Sequence, residues 1–150
     1  MMKKLFFFAL LMLAILSSCK KKATPETATD MAKMSEDFRS FYEKFHSDSA
    51  FQHNHIRFPL QGLPSDVDSA TLADKDFYYT ADIWKNHQPV DFSKGEFTQS
   101  VEALGDRMIV ERIYKSDNSY AIERRFARLS DNEWYLIYYI APNKFSKIQQ

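Results

Sequence analysis

Glycine is nearly missing from this chain, with three residues in 150, and there is a single cysteine. So little glycine leaves no Gly-rich loop to cradle a phosphate, and no nucleophile elbow is present either. One cysteine leaves no Cys cluster for a metal, only an unpaired thiol that needs an explanation. Excess charge of one sign is also lacking, since 20 basic residues balance 20 acidic ones. Nothing therefore suggests a nucleic-acid groove. The longest apolar run is the 12 residues of 5–16, too short to span a bilayer, which takes about 20 residues in a helix. What is present is aromatic mass, 13 Phe and 8 Tyr. That is the profile of a packed, sheet-containing domain rather than a disordered tail.

The N-terminus accounts for the thiol. Residues 1–4 form a short positive n-region and residues 5–16 an unbroken apolar h-region. Leu16-Ser17-Ser18-Cys19 then resembles the lipobox of bacterial lipoproteins, a branched apolar residue and two small ones before Cys. The thiol must take a diacylglyceryl group, and the small flanking residues let a peptidase reach the bond before it. The expectation is that residues 1–18 are removed as a signal peptide and that acylated Cys19 anchors the chain to membrane lipid without spanning it. The cut takes Lys3 and Lys4 and no acid, leaving 18 basic and 20 acidic residues. Residues 19–29, with Lys20, Lys21, Lys22 and a proline, read as the lipidated Cys and a flexible tether. Residues 30–150 read as a single α+β domain, long enough to bury a continuous core.

Within that domain the periods are distinct. From Asp30 to His46, Met31, Met34, Phe38, Phe41, Tyr42 and Phe45 keep to one helical face. His46-Ser47-Asp48-Ser49 stops the helix. Ile56, Phe58 and Leu60 alternate with His55, Arg57 and Pro59 as a strand, and Pro59 implies an edge or an end there. Residues 61–74 form a polar connection and residues 76–84 a second strand. Ser93-Lys94-Gly95-Glu96 fits a capping box, with Phe97, Val101 and Leu104 at helical spacing, which predicts a short helix over 94–104. Three strand-like runs, 107–115, 119–129 and 133–141, are separated by Asp117-Asn118 and Asp131-Asn132, dipeptides that tolerate the positive φ of tight hairpins. A two-residue loop at 117–118 sets Glu111 against Arg124, Arg112 against Glu123 and Ile113 against Ile122, a cross-strand match that a one-residue slip destroys. The same rule at 131–132 pairs Leu129 with Trp134 and Phe126 with Ile137. The last run, Trp134 to Ile140, is apolar on both faces and needs cover on both.

Few residues suggest chemistry. His53 and His55, two apart in a strand, would share a face as metal ligands can; no third ligand is convincing, and hydrogen-bonded surface histidines explain them better. His46 with Asp48 imitates an acid–base dyad, but a helix-terminus pair is the simpler account. If Arg124 or Arg125 points into a concave sheet it would meet a carboxylate; cross-strand ion pairing is the usual alternative. Arg124, Tyr135 and Tyr139 are the candidate ligand-binding side chains. No catalytic residue, metal site or cofactor is assigned.

The run Asp37-Phe38-Arg39-Ser40-Phe41-Tyr42-Glu43-Lys44-Phe45, with Asp48-Ser49-Ala50-Phe51-Gln52 and Ile56-Arg57-Phe58-Pro59-Leu60, resembles the opening signature of an uncharacterised lipoprotein family of Bacteroides and its relatives, a domain of unknown function. His53-Asn54-His55 departs from that pattern. In such bacteria acidic residues just after the lipidated Cys mark surface export, so lysines there imply an envelope lipoprotein facing the periplasm. The order of elements resembles the NTF2-like cone, an N-terminal amphipathic helix packed on a curled, mostly antiparallel sheet that ends in a three-strand meander. Fold alone does not give function. The reading favoured is a non-enzymatic module that binds a small apolar or amphipathic ligand or an envelope protein, with a homodimer as a further option. The alternative is a small pocket enzyme of isomerase or hydrolase type, which would need a buried His or Asp with a shifted pKa.

Overall fold

The computed structural model describes residues 29–65 and 76–144. The expected signal peptide, Cys19 and most of the tether lie outside the described residues, as does most of the 61–74 connection. Three helices, α1 (Thr29–Ala32), α2 (Glu36–Ser47) and α3 (Ser49–Asn54), precede six strands, β1 (Ile56–Leu63), β2 (Phe77–Tyr79), β3 (Phe97–Ala103), β4 (Met108–Lys115), β5 (Tyr120–Arg128) and β6 (Trp134–Lys144). The strands form one sheet in the order β2-β1-β6-β5-β4-β3, antiparallel except for the β1–β6 pair. This is the expected α+β class, helices on one face of a mostly antiparallel sheet with a terminal meander.

The core follows from the aromatic stripe of α2. Phe38, Phe41 and Phe45 are buried, and together with Tyr42 they converge on Phe126 of β5. Edge-to-face contacts such as Phe38 on Trp134, with centroids 5.0 Å apart, add specificity to the burial. Asp37 ties the helix to the sheet through Trp134 Nε1 and Arg128.

Several expectations need correction. The helix expected over 30–46 is broken at residues 33–35 into α1 and α2. Ser47 ends α2 as expected, but Asp48 then caps a further helix, accepting from the backbone N–H groups of Ala50 and Phe51. His53 and His55 therefore lie on α3 and at its C-cap, not on one face of a strand. β1 is internal, between β2 and β6. Pro59 is tolerated there because it falls in the register break between Ile56 and Gln61, outside the three residues paired with β2; its peptide bond with Phe58 is cis. β2 keeps only three residues of the run 76–84.

The largest correction concerns 94–104. Asp91, not Ser93, caps a 3-10 turn at Phe92–Lys94, and Gly95 ends it at φ 69°. Residues 97–103 then form strand β3, paired throughout with β4.

The meander divides in two. The β4–β5 register is as expected, with Glu111 opposite Arg124, Arg112 opposite Glu123 and Ile113 opposite Ile122. In the β5–β6 hairpin Leu129 bonds Glu133, leaving a loop of 130–132 in which Asn132 takes the positive φ. Arg128, not Leu129, faces Trp134, and Phe126 faces Leu136. Ile137 is then the extra residue of a bulge, and pairing resumes at Arg125–Tyr138 and Arg124–Tyr139. A bulge reverses the alternation of a strand. Trp134 and Leu136 point to the helices before it, whereas Tyr139 and Ala141 do so after it.

Candidate functional site

The alternation of β4 and β5 places Glu111 and Arg124 side by side on the helix-facing surface, where they are 1% and 3% exposed. A buried charge is tolerable only when paired and hydrogen-bonded. Arg124 Nη1 donates to Glu111 Oε2 at 3.0 Å. The other carboxylate oxygen accepts from Tyr42 Oη of α2 at 2.5 Å and from Gln99 Nε2 of β3 at 2.6 Å. Burial alone would push the Glu111 carboxyl up, but Arg124 and these hydrogen bonds hold it below the ordinary carboxylate range. Burial, and then the Glu111 charge, push the Tyr42 hydroxyl the other way, well above its usual value.

Arg124 also donates from Nε to Nδ1 of His87 at 3.2 Å. His87 sits in an irregular segment, and Gln52 of α3, 1% exposed, fixes it there. Gln52 Oε1 accepts from the His87 N–H at 2.7 Å, while its Nε2 donates to the carbonyls of His87 and Phe45. Burial first, then Arg124 and His46, push the His87 imidazole down to about 2. A guanidinium can only donate, so Nδ1 must offer its lone pair. The ring is neutral, and its proton is on Nε2.

His46, one turn after Tyr42 on α2, is buried with Nδ1 on the Tyr42 carbonyl at 2.9 Å. Its Nε2 is sealed without a partner among the described residues, and burial lowers its pKa. Asp48 is committed to capping α3, so no His46–Asp48 dyad forms.

Above His87 opens a cleft of about 360 Å³, walled by Tyr79, Trp84, His87 and Tyr139. The Trp84 and Tyr139 rings lie 5.4 Å apart, those of His87 and Tyr139 4.5 Å. Lys85 and Asn86 stand at its edge, and no acidic side chain lines it among the described residues.

Of the candidates read from the sequence, the structure brings Arg124 and Tyr139 together as cross-strand partners. Tyr135 precedes the bulge and points to the other face, its ring under the Arg57 guanidinium at 3.9 Å and its hydroxyl on Asp131. Arg125 is on that other face too, bonded to Glu123 and lying over Tyr138. His55 stacks on Phe51 at 3.7 Å; His53 is exposed. No group of three His, Cys, Asp or Glu able to hold a metal occurs among the described residues, and no described helix is long and apolar enough to cross a membrane. Sequence reasoning missed Tyr42, Gln99 and His87 as members of the site. Only the inward Glu111–Arg124 pair signalled that further polar partners must reach it.

The model of an uncharacterised, Bacteroides-specific protein family matches residues 36–146. Among solved structures, a cystatin-like protein from Bacteroides caccae is similar at a TM-score of 0.51 and 21% identity, over 73% of this chain and 78% of that one. An NTF2-like protein from Bacteroides fragilis aligns at a TM-score of 0.48 and 17% identity, over 71% of this chain and 46% of the other. A protein from Bacteroides ovatus aligns at 0.44 and 21% identity, over 71% and 74%. No curated protein matches.

Proposed function

For a chain that belongs to this uncharacterised Bacteroides family, we propose a lipid-anchored envelope protein that holds a small amphipathic molecule in the cleft beside β6. The observation that carries the reading is an open, aromatic-walled cavity of about 360 Å³ above a fully paired ion pair. Ligand sites combine apolar walls with a few fixed polar groups at that size. Acid–base catalysis is the weaker reading. A general base works best with a pKa near the ambient pH, whereas His87 is pushed down to about 2. Glu111 is sealed behind Tyr42, Gln99 and Arg124.

Anchoring rests on Leu16-Ser17-Ser18-Cys19 and on the membrane residence that acyl chains confer. The lysines after Cys19 support a periplasm-facing position. Two experiments test the proposal. Native mass spectrometry of protein extracted gently from its own envelope is expected to show a small-molecule adduct, which Trp84→Ala removes; a bare mass throughout contradicts the binding reading. Labelled palmitate is expected to enter the wild type and not Cys19→Ala; a Cys19→Ala variant that still sediments with envelopes contradicts the anchor.

A further inference from the structure

We infer that the cleft selects flat aromatic molecules bearing a carboxylate or a comparable acceptor oxygen. This rests on the binding-module reading above and names the ligand chemistry it requires. Three polar groups carry it. His87 lines the cleft with Nδ1 already taken by Arg124, which leaves Nε2–H as the ring's remaining position and makes it a donor. Tyr139 is the second, a phenol 8% exposed that lines the cleft. The third is the Lys85 ammonium at the edge.

His87 and Lys85 can only donate here and the Tyr139 hydroxyl can donate, and among the described residues the lining holds no carboxylate to receive a ligand cation. Aromatic walls alone would equally suit a quaternary ammonium group. Among the described residues Arg124 is neutralised by Glu111, so the charge left in the lining is that of Lys85. The rings of Trp84, Tyr79 and Tyr139 pack on one another at tilted and edge-on angles, so the wall of the cleft is aromatic, and a planar ring meets such a wall by offset or edge contact. His87 stays neutral at ordinary pH because burial and, next, the Arg124 charge both oppose its protonation. The His87 donor is therefore present across that range.

The test uses the full chain in lipid nanodiscs, with empty nanodiscs as the blank for partitioning. Isothermal titration compares 2-naphthoate with 2-naphthylmethylammonium, which have the same ring and opposite charge. The naphthoate is expected to bind at least about 10-fold tighter, as donors to a charged group allow. His87→Phe and Tyr139→Phe each keep an aromatic ring and are expected to reduce that preference about 5-fold or more; Lys85→Ala leaves the interior untouched and is expected to reduce it as well. Equal affinity for the two probes, or preference for the ammonium, overturns the inference and leaves the binding-module reading standing. Failure of both probes to bind overturns the inference and that reading together.

Discussion

Gly62 lies on β1 opposite Tyr139 of β6, and a Cβ added there would collide with the Tyr139 carbonyl. Only glycine lets the two backbones approach so closely. Gly62→Ala is expected to cost about 3 kcal/mol in urea unfolding, because the obstruction is backbone that cannot swing aside. The buried ion pair behaves differently. Arg124→Met strands the Glu111 carboxylate, which is 1% exposed, and is expected to cost about 3–5 kcal/mol. Adding Glu111→Gln should recover part of that loss, since no uncompensated charge is left; a double variant as unstable as the sum of the singles would argue against direct pairing. The histidines set the pH response. His87 is lowered to about 2 and His46 is also lowered, both first by burial and then by Arg124. Both fold as neutral rings, so their contribution is complete above the unfolded value near 6.5 and is lost as pH falls. Glu111, held low by Arg124 against its burial, acts in the same direction below about 4.5. Between pH 6.5 and pH 5 the His87 contribution alone amounts to about 2 kcal/mol. Urea midpoints at pH 7 and pH 5 should show this drop, and His87→Phe should flatten it.

The β4–β5 hairpin was legible because everything that fixes it is local. Asp117 accepts from the Ser119 N–H, Asn118 takes the positive φ, and Glu111 and Arg112 meet their opposite charges. The β5–β6 turn repeats that chemistry, with Asp131 accepting from Glu133 and Asn132 at φ 66°. The bulge at Ile137 has no such local mark, and it turns Tyr139 inward while Tyr135 stays out. Two tyrosines four apart therefore read as equivalent and are not. β3 misled for a related reason. Its inward position between Phe97 and Val101 is Gln99, which is spent on Glu111, so the alternation of a half-buried strand is hidden and a helical spacing shows instead. His87 gave no signal, since its place depends on Gln52, 35 residues earlier. Asn132 puts the second hairpin turn to the test. Asn132→Gly should be nearly neutral, and Asn132→Val should cost about 1–2 kcal/mol in thermal or urea unfolding, as a branched residue resists positive φ.

At the scale of the whole molecule, one helix face and one sheet face close a core around Phe126, and the irregular segment carrying Trp84 and His87 closes over it beside β6. The chain invests an otherwise costly buried Glu–Arg pair at the base of that segment. Burial, and next the Arg124 charge, keep His87 neutral, and the Arg124 hydrogen bond holds it in one tautomer and in place. The segment is otherwise irregular, and it is held to the helices and the sheet by Gln52, Arg124 and the buried Trp84 ring on Phe58 and Tyr139. The most direct test is a long-range nitrogen correlation spectrum of the His87 ring. The expected result is an unprotonated Nδ1 and a protonated Nε2 that do not titrate between pH 7 and pH 4. A His87 that titrates near its ordinary 6.5, or that carries its proton on Nδ1, would contradict that role for the ion pair.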